Sequence, residues 1–353
     1  LIKIYLSLLI ITLIISGCAS NLSSPETSAA ELTSSPAADW YNLYFTTPTS
    51  PNASSYRDGP DTYLADAIDQ ARISVDMAIY DLNLWSVRDA LIDAQRRGVE
   101  VRVVTESENT DEQEIQDLKD TGIPVLGDRH EGLMHDKFMI IDRSEVWTGS
   151  MNLTTGGAYL DNNNLIRLHS TELAEYYTLE FEQMFVDDHF GSEKTSQTPD
   201  PMVTINGSQV EVYFSPEDGT LAHILAAVRS ARESISFLAY SFTSDALSEA
   251  LIERANAGVK VQGVFDKDQY HANYGTEYDN LSSAGIDVQL DGNRRLMHDK
   301  VIIIDNQVVI TGSYNFSDNA ENNNDENTLI IYNPEIAKLY NTEFALLFSE
   351  AKR

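Results

Sequence analysis

Cysteine is almost missing from this chain: Cys18 stands alone among 353 residues. A single thiol excludes an intrachain disulfide framework and any zinc site built on several cysteines. Positive charge is also scarce. Lys and Arg number 24 against 55 Asp and Glu, a formal net charge of −31. Such a surface repels polyphosphate, which excludes a general nucleic-acid coating protein but leaves room for a local basic cleft. Long apolar runs are lacking too. The stretch 6–15 is interrupted by Ser7 and Thr12, is short for a bilayer, and has no second run after it. Hydrophobic residues nonetheless make up 42% and charged residues 22%, which is ordinary globular usage in a chain long enough for two domains.

The early apolar stretch has a narrower reading. Lys3 is the only charge before it, and it ends in Ile15-Ser16-Gly17-Cys18-Ala19. This resembles a bacterial lipoprotein signal, in which small residues admit a peptidase and the cysteine thiol receives a diacylglyceryl group. The alternative is a short buried helix with a core cysteine. On the first reading, residues 1–17 are a signal peptide and Cys18 carries lipid. The mature charge becomes 23 − 55 = −32, because only Lys3 is lost. Residues 18–39 then form a Ser-, Thr-, Pro- and Ala-rich tether of roughly 25 Å reach. The expected location is the cell envelope, as a membrane-anchored lipoprotein exposed outside the cytoplasm.

Beyond the tether the chain is written twice. Arg97-Gly98-Val99 recurs as Ala257-Gly258-Val259 at an offset of 160, and Leu133-Met134-His135-Asp136-Lys137 as Leu296-Met297-His298-Asp299-Lys300 at 163. The second copy therefore gains three residues, placed at 266–274. Each copy opens with a short strand (41–45; 210–214), then runs helix (62–71; 220–231), strand, helix (85–97; 244–257) and strand. Each later carries a continuous apolar run (138–141; 301–304) that suits a strand buried on both faces. A final helix follows, expected over 172–190 and 335–348. Strands alternating with helices indicate an α/β fold. The expected units are 40–190 and 203–353, joined by a polar linker at 191–202.

Each copy holds the same six residue types at one spacing. The first has His135-x-Lys137, Asp142 and Gly149-Ser150-x-Asn152. The second has His298-x-Lys300, Asp305 and Gly312-Ser313-x-Asn315. On a strand, residues two apart share a face. An imidazole and an ammonium thus stand together beside a turn rich in neutral donors. That set suits a phosphodiester anion whose transition state gathers more negative charge on its oxygens.

These motifs resemble the HxKx4Dx6GSxN signature of the phospholipase D superfamily, and the repeat covers about 40–350. The resemblance implies two pseudo-twofold-related domains, each a mixed β-sheet flanked by helices, in one monomeric chain whose motifs meet at a shared site. It implies no metal and no cofactor. One histidine attacks phosphorus to give a phosphohistidine; the other protonates the leaving alcohol and then deprotonates water or another alcohol. Lys137, Lys300, Asn152 and Asn315 would hold the non-bridging oxygens, assisted by Ser150 and Ser313. Asp142, Asp305, Gly149 and Gly312 would be structural. Superfamily members often carry a ring-orienting carboxylate about 28 residues after the motif histidine. Glu326 occupies that position after His298, whereas Asn163 occupies it after His135, with Asp161 nearby. A carboxylate favours imidazolium, so His298 is expected to be the acid and then the base, and His135 the nucleophile.

The substrate stays open at this level. A phospholipase D acting on glycerophospholipid headgroups fits the lipid anchor and the acidic surface. A metal-independent endonuclease fits the compact two-motif chain and the Asn-rich stretch 315–327, with nucleic acid as the alternative substrate, but charge opposes it. A cardiolipin synthase-like phosphatidyltransferase and a non-enzymatic envelope scaffold complete the set. Tyr80 and Tyr240 end equivalent strands and either pack in the core or line the entrance. The loop with Tyr270, His271, Tyr274 and Tyr278 is a candidate for headgroup or base selection, and Trp85 is expected to pack at a helix start.

Overall fold

The computed structural model describes residues 39–198 and 200–352. The expected signal segment, Cys18 and nearly all of the expected tether lie outside them. No helix among the described residues is long and apolar enough to cross a membrane.

Two mixed sheets carry the fold. The first holds β1 (Tyr41–Phe45), β2 (Ser74–Ile79), β3 (Glu100–Thr105), β4 (Val125–Gly127), β5 (Lys137–Ile141), β6 (Glu145–Gly149) and β7 (Asn164–His169), in the order β1-β7-β6-β5-β2-β3-β4. The second holds β8 (Met202–Ile205), β9 (Ser208–Ser215), β10 (Ser234–Ala239), β11 (Lys260–Phe265), β12 (Asp287–Leu290), β13 (Lys300–Ile304), β14 (Val308–Gly312) and β15 (Glu326–Tyr332), in the order β12-β11-β10-β13-β14-β15-β9-β8. Apart from the extra edge strand β8, the orders match strand for strand. β2, β3 and β4 are parallel, as are β10, β11 and β12. Parallel neighbours need crossover connections, which α2 (Trp85–Arg97) and α3 (Gln113–Asp120) supply in the first half and α6 (Asp245–Asn256) supplies between β10 and β11, with α1 (Asp61–Gln70) packed on α2 and α5 (Thr220–Ser230) on α6. The apolar runs expected to be buried on both faces are β5 and β13, in which every residue is buried.

The other face of each sheet looks toward its twin. α4 (Thr171–Phe185) and α10 (Pro334–Ala351) pack there, and one core cluster joins Phe138, Tyr177 and Phe181 of the first half to Phe214, Val301 and Tyr340 of the second. The halves are thus fused through apolar surface that neither could leave exposed to water.

Four sequence expectations need adjustment. The helix expected to reach 190 ends at Phe185; Val186 beyond it is 63% exposed and Asp188 takes φ 58°. The linker is not wholly polar spacer, since Met202 already belongs to β8 and Lys194 is fully buried. The insertion lies within 266–277, where α7 (Lys267–Ala272) replaces the short turn of the first half and precedes α8 (Tyr278–Ser283). Trp85 does not pack at its helix start: it is 57% exposed, and Leu84 before it is buried instead.

Candidate active site

Each motif histidine stands two residues ahead of the strand-opening lysine, and its main chain is held by the opposite half. His135 N donates to Asp325 O at 3.0 Å and His298 N to Asn162 O at 2.9 Å. Short parallel bridges, Met134 with Asp325 and Asn162 with Met297, make the exchange reciprocal, as a twofold axis requires. Lys137 Nζ then donates to His135 O at 2.6 Å, and Lys300 Nζ to His298 O at 2.7 Å. Tyr80 meets the His135 ring edge-on at 5.2 Å and Tyr240 meets His298 at 4.5 Å. The two tyrosines therefore line the site and do not fill the core.

His135, Lys137, His298 and Lys300 are all buried. Burial, then the two lysine charges, hold both imidazoles well below their usual range, so both rest neutral. Burial also draws Lys137 down to about 8, against the pull of Glu326 and Asp136, and pushes Lys300 well down. Lys300 acts on His135, and Lys137 and His135 act on His298. Groups from both halves thus form one site.

The carboxylate expected behind His298 serves the other ring. Both Glu326 oxygens lie 2.8 Å from His135 Nδ1. Because Asp325 pairs with the segment before His135, the start of β15 is delivered to the opposite half's histidine. By the same exchange Asn163 Oδ1 lies 2.9 Å from His298 Nδ1. Asp161 is engaged elsewhere, its Oδ1 lying 3.1 Å from Arg295 Nε. Burial pushes Glu326 up to about 7, against Lys137, Ser313 and Asn324.

Ser150 and Ser313 are fully buried behind the rings. Ser150 Oγ donates to Asn163 Oδ1 at 2.8 Å, and Ser313 Oγ accepts from Asn327 N at 3.0 Å. Ser150 thus touches the partner of His298, and Ser313 also hydrogen-bonds Glu326, the partner of His135. Asn152 and Asn315 are half-buried, and their Oδ1 atoms are buried without a partner among the described residues. Asp142 accepts from the N–H groups of Arg72, Ile73 and Ser74, and Asp305 from those of Arg232, Glu233 and Ser234. They anchor the entries to β2 and β10. Gly149 (φ 145°) and Gly312 (φ 147°) run so close to β7 and β15 that a Cβ would come within 2.3 Å of Asn164 O and 2.1 Å of Asn327 O.

Sequence reasoning missed a symmetric layer beneath the site. Asn327 Nδ2 donates to Asp136 Oδ1 at 2.8 Å, while its Oδ1 accepts from Thr148 and Tyr177. Asn164 Nδ2 donates to Asp299 Oδ1 at 2.6 Å, while its Oδ1 accepts from Thr311 and Tyr340. The clue was present: an Asp inside His-x-Lys, and an Asn one position beyond Asn163 and Glu326, occur in both copies. In the aromatic loop, Tyr270 and Tyr278 pack on each other at 4.9 Å and Tyr274 is fully exposed. Among the described residues, no group of three or more His, Cys, Asp or Glu side chains is arranged to hold a metal ion.

Comparison with known proteins agrees with this layout. A family model described as "Cardiolipin synthase, PLD-like domain" matches residues 64–185 and 224–348, one segment in each half. A phospholipase D of Rickettsia bellii is 34% identical over 153 residues, 42% of this chain and 76% of that protein. A mitochondrial cardiolipin hydrolase of Mus musculus is 35% identical over 133 residues, 38% of this chain and 60% of that protein. A phosphatidylserine synthase structure from Haemophilus influenzae superposes with a TM-score of 0.59 over 85% of this chain and 84% of its own, at 13% identity. That last likeness is one of fold alone.

Proposed function

The chain belongs to the PLD-like domain family, and from that premise we propose that it is a phospholipase D-type phosphodiesterase that hydrolyses glycerophospholipid headgroups through a phosphohistidine on His135. The observation that carries this reading is one buried site fed by both halves, in which two histidine–lysine pairs have unlike partners.

The unlike partners assign the roles. His135 donates its Nδ1 proton to Glu326, which leaves the Nε2 lone pair for attack on phosphorus. As the N–P bond forms, positive charge grows on the ring, and Glu326 stabilises it. The assignment drawn from sequence is kept, but for the opposite reason: the carboxylate serves the nucleophile. His298 meets neutral partners, Asn163 Oδ1 and the Ser150 backbone, so its imidazolium stays a willing proton donor. Arrival of the diester anion offsets Lys137 and Lys300 and lets His298 hold a proton. The P–O bond to the alcohol then breaks, and the alkoxide takes that proton. In the second step His298 takes a proton from water, the hydroxide oxygen attacks phosphorus, and the P–N bond breaks to restore neutral His135. Lys137, Lys300, Asn152 and Asn315 neutralise and orient the non-bridging oxygens.

Relatives named phospholipase D and cardiolipin hydrolase support a phospholipid substrate, and the net charge of −31 disfavours nucleic acid. In the same reading, lipidation at Cys18 holds the enzyme at a cell-envelope membrane. Headgroup release from mixed micelles, with plasmid nicking run beside it, tests the proposal, and a primary alcohol should be diverted into phosphatidylalcohol. Nuclease activity with untouched phospholipid would refute the lipid reading. Phosphoenzyme that is trapped in His135→Asn but not in His298→Asn would reverse the roles.

A further inference from the structure

Two consecutive N–H groups fix each motif histidine in place. The histidine's own is taken by the opposite half, Asp325 O for His135 and Asn162 O for His298. The one before it is taken by a carboxylate of the same half: Glu106 Oε2 accepts from Met134 N at 3.0 Å, and Asp266 Oδ2 from Met297 N at 2.9 Å. Glu106 directly follows β3 and Asp266 directly follows β11, at the 160-residue offset of the repeat. A second acid stands beside each. Asp128 Oδ1 accepts from Ser107 N at 2.7 Å, and Asp291 Oδ2 from Lys267 N at 2.8 Å. All four carboxyl residues are buried, and none has a part in the mechanism above.

The two pairs are not equivalent. The Glu106 and Asp128 carboxyl groups hydrogen-bond each other, a contact that two ionised carboxylates cannot make and that one proton between them can. Burial, then Asp128, pushes Glu106 up to about 7. Its Oε2 is engaged by Met134, so the proton belongs on Oε1, whose contact with Glu108 N is long at 3.4 Å. Glu106 also faces Tyr80, whose hydroxyl is pushed up by burial and by Glu106 and so stays neutral. Asp266 has no such free oxygen: Oδ1 accepts from Gln269 N at 2.8 Å and Oδ2 from Met297 N. Burial pushes it only to about 6, against these two N–H groups. Beside its pair, Lys267 Nζ lies 4.0 Å from Asp291 Oδ1. At the same offset Ser107 replaces Lys267. Where the second half has a cation, the first has a proton.

We propose that the Glu106–Asp128 pair is a positioning clamp for the nucleophile, closed by one shared proton. Asp128 holds the start of the loop 128–134, where its Oδ2 accepts from His130 N at 3.4 Å, and Glu106 holds the end of that loop at Met134. The shared proton ties start to end and so fixes where His135 leaves the loop. When the proton passes to solvent, two buried like charges are left in contact; they repel, and the loop opens. His135 then loses its register with Asp325 O and with Glu326. The inference rests on the phosphodiesterase reading above and gives its nucleophile a support that depends on pH.

Glu106→Gln is the deciding variant, because its amide donates to Asp128 and accepts from Met134 N as the protonated acid does. With bis(p-nitrophenyl) phosphate as substrate, the ratio of variant to wild-type kcat should rise at least about fivefold between about pH 6 and about pH 8.5. Taking the ratio cancels the titration of His298 and Lys137. Over the same interval, amide exchange at Met134 should outrun its intrinsic pH trend in the wild type and follow that trend in Glu106→Gln. Glu106→Leu removes the acceptor and should lower kcat per active site at least about tenfold at about pH 6, with KM little changed; active sites are counted from the burst amplitude. Glu106→Gln decides alone if Glu106→Leu fails to fold. A flat kcat ratio overturns the proposal, as does a Met134 amide equally protected across the interval or a Glu106→Leu effect confined to KM. If no diester is turned over but the amide shows the pH step, the clamp stands and the phosphodiesterase reading falls.

Discussion

Glutamine at position 326 would keep the shape of the side chain and remove its charge. If Glu326 stabilises the cation that forms when His135 attacks, Glu326→Gln should lower kcat by on the order of 10²-fold with little change in KM, measurable by steady-state and burst kinetics. Asn163→Asp is the informative partner. A carboxylate beside His298 favours its imidazolium, so the limb of the pH–kcat profile assigned to His298 should move to higher pH. Lys137, drawn down to about 8 by burial, sets a further expectation. As pH rises through that value the free enzyme loses an oxygen-binding cation, so kcat/KM should fall on the alkaline side near pH 8, and mostly through KM. The catalytic residue types were legible in the sequence because two motifs repeat at one spacing. The partner of each histidine was not. Counting 28 residues from His298 reaches Glu326, but nothing in that count shows Leu133 and His135 pairing with Asp325 across the halves.

Strands and helices explain why these motifs contain glycine and aspartate at fixed positions. Gly149→Ala puts a Cβ 2.3 Å from Asn164 O at a φ of 145°. It should destabilise the fold by about 1–3 kcal/mol, read from urea unfolding, and should shift Ser150 and thereby Asn163. Asp305 acts at the entry to β10. Burial alone would raise its pKa, but the N–H groups of Ser234, Glu233 and Arg232 hold it below the usual carboxylate value. A depressed carboxylate contributes stability above its unfolded pKa and loses it as pH falls through the folded value. Asp305→Asn should therefore unfold more easily at pH 7, and its deficit should shrink below about pH 4. Period and caps made the elements themselves readable: β1 and α2 fall where the pattern places them. The overrun past Phe185 arose because Val186 and Phe190 continue an apolar rhythm while Asp188 turns the chain.

Across the whole molecule, apolar surface and one buried cation hold the halves together. Lys194 Nζ contacts Glu180, lies 3.0 Å from Asp325 and 3.4 Å from Glu217, and has no solvent exposure. Burial alone would lower its pKa, but these carboxylates keep it charged. Lys194→Met leaves them buried without a counter-ion, which should destabilise the protein by about 3–5 kcal/mol, seen as a lower urea midpoint. In composition 191–202 reads as a spacer, because a lone lysine in a polar stretch gives no hint of burial.

Fusion of the two repeats has one further consequence. Each ring is steered by a side chain from the opposite half: a glutamate for His135, an asparagine for His298. Were the same site assembled from two identical short chains, both rings would necessarily receive the same partner, and neither could be set apart as attacker or donor by its surroundings. A single continuous gene product escapes that constraint. Its left and right sides can drift independently, so a direction of proton flow can be inherited as sequence.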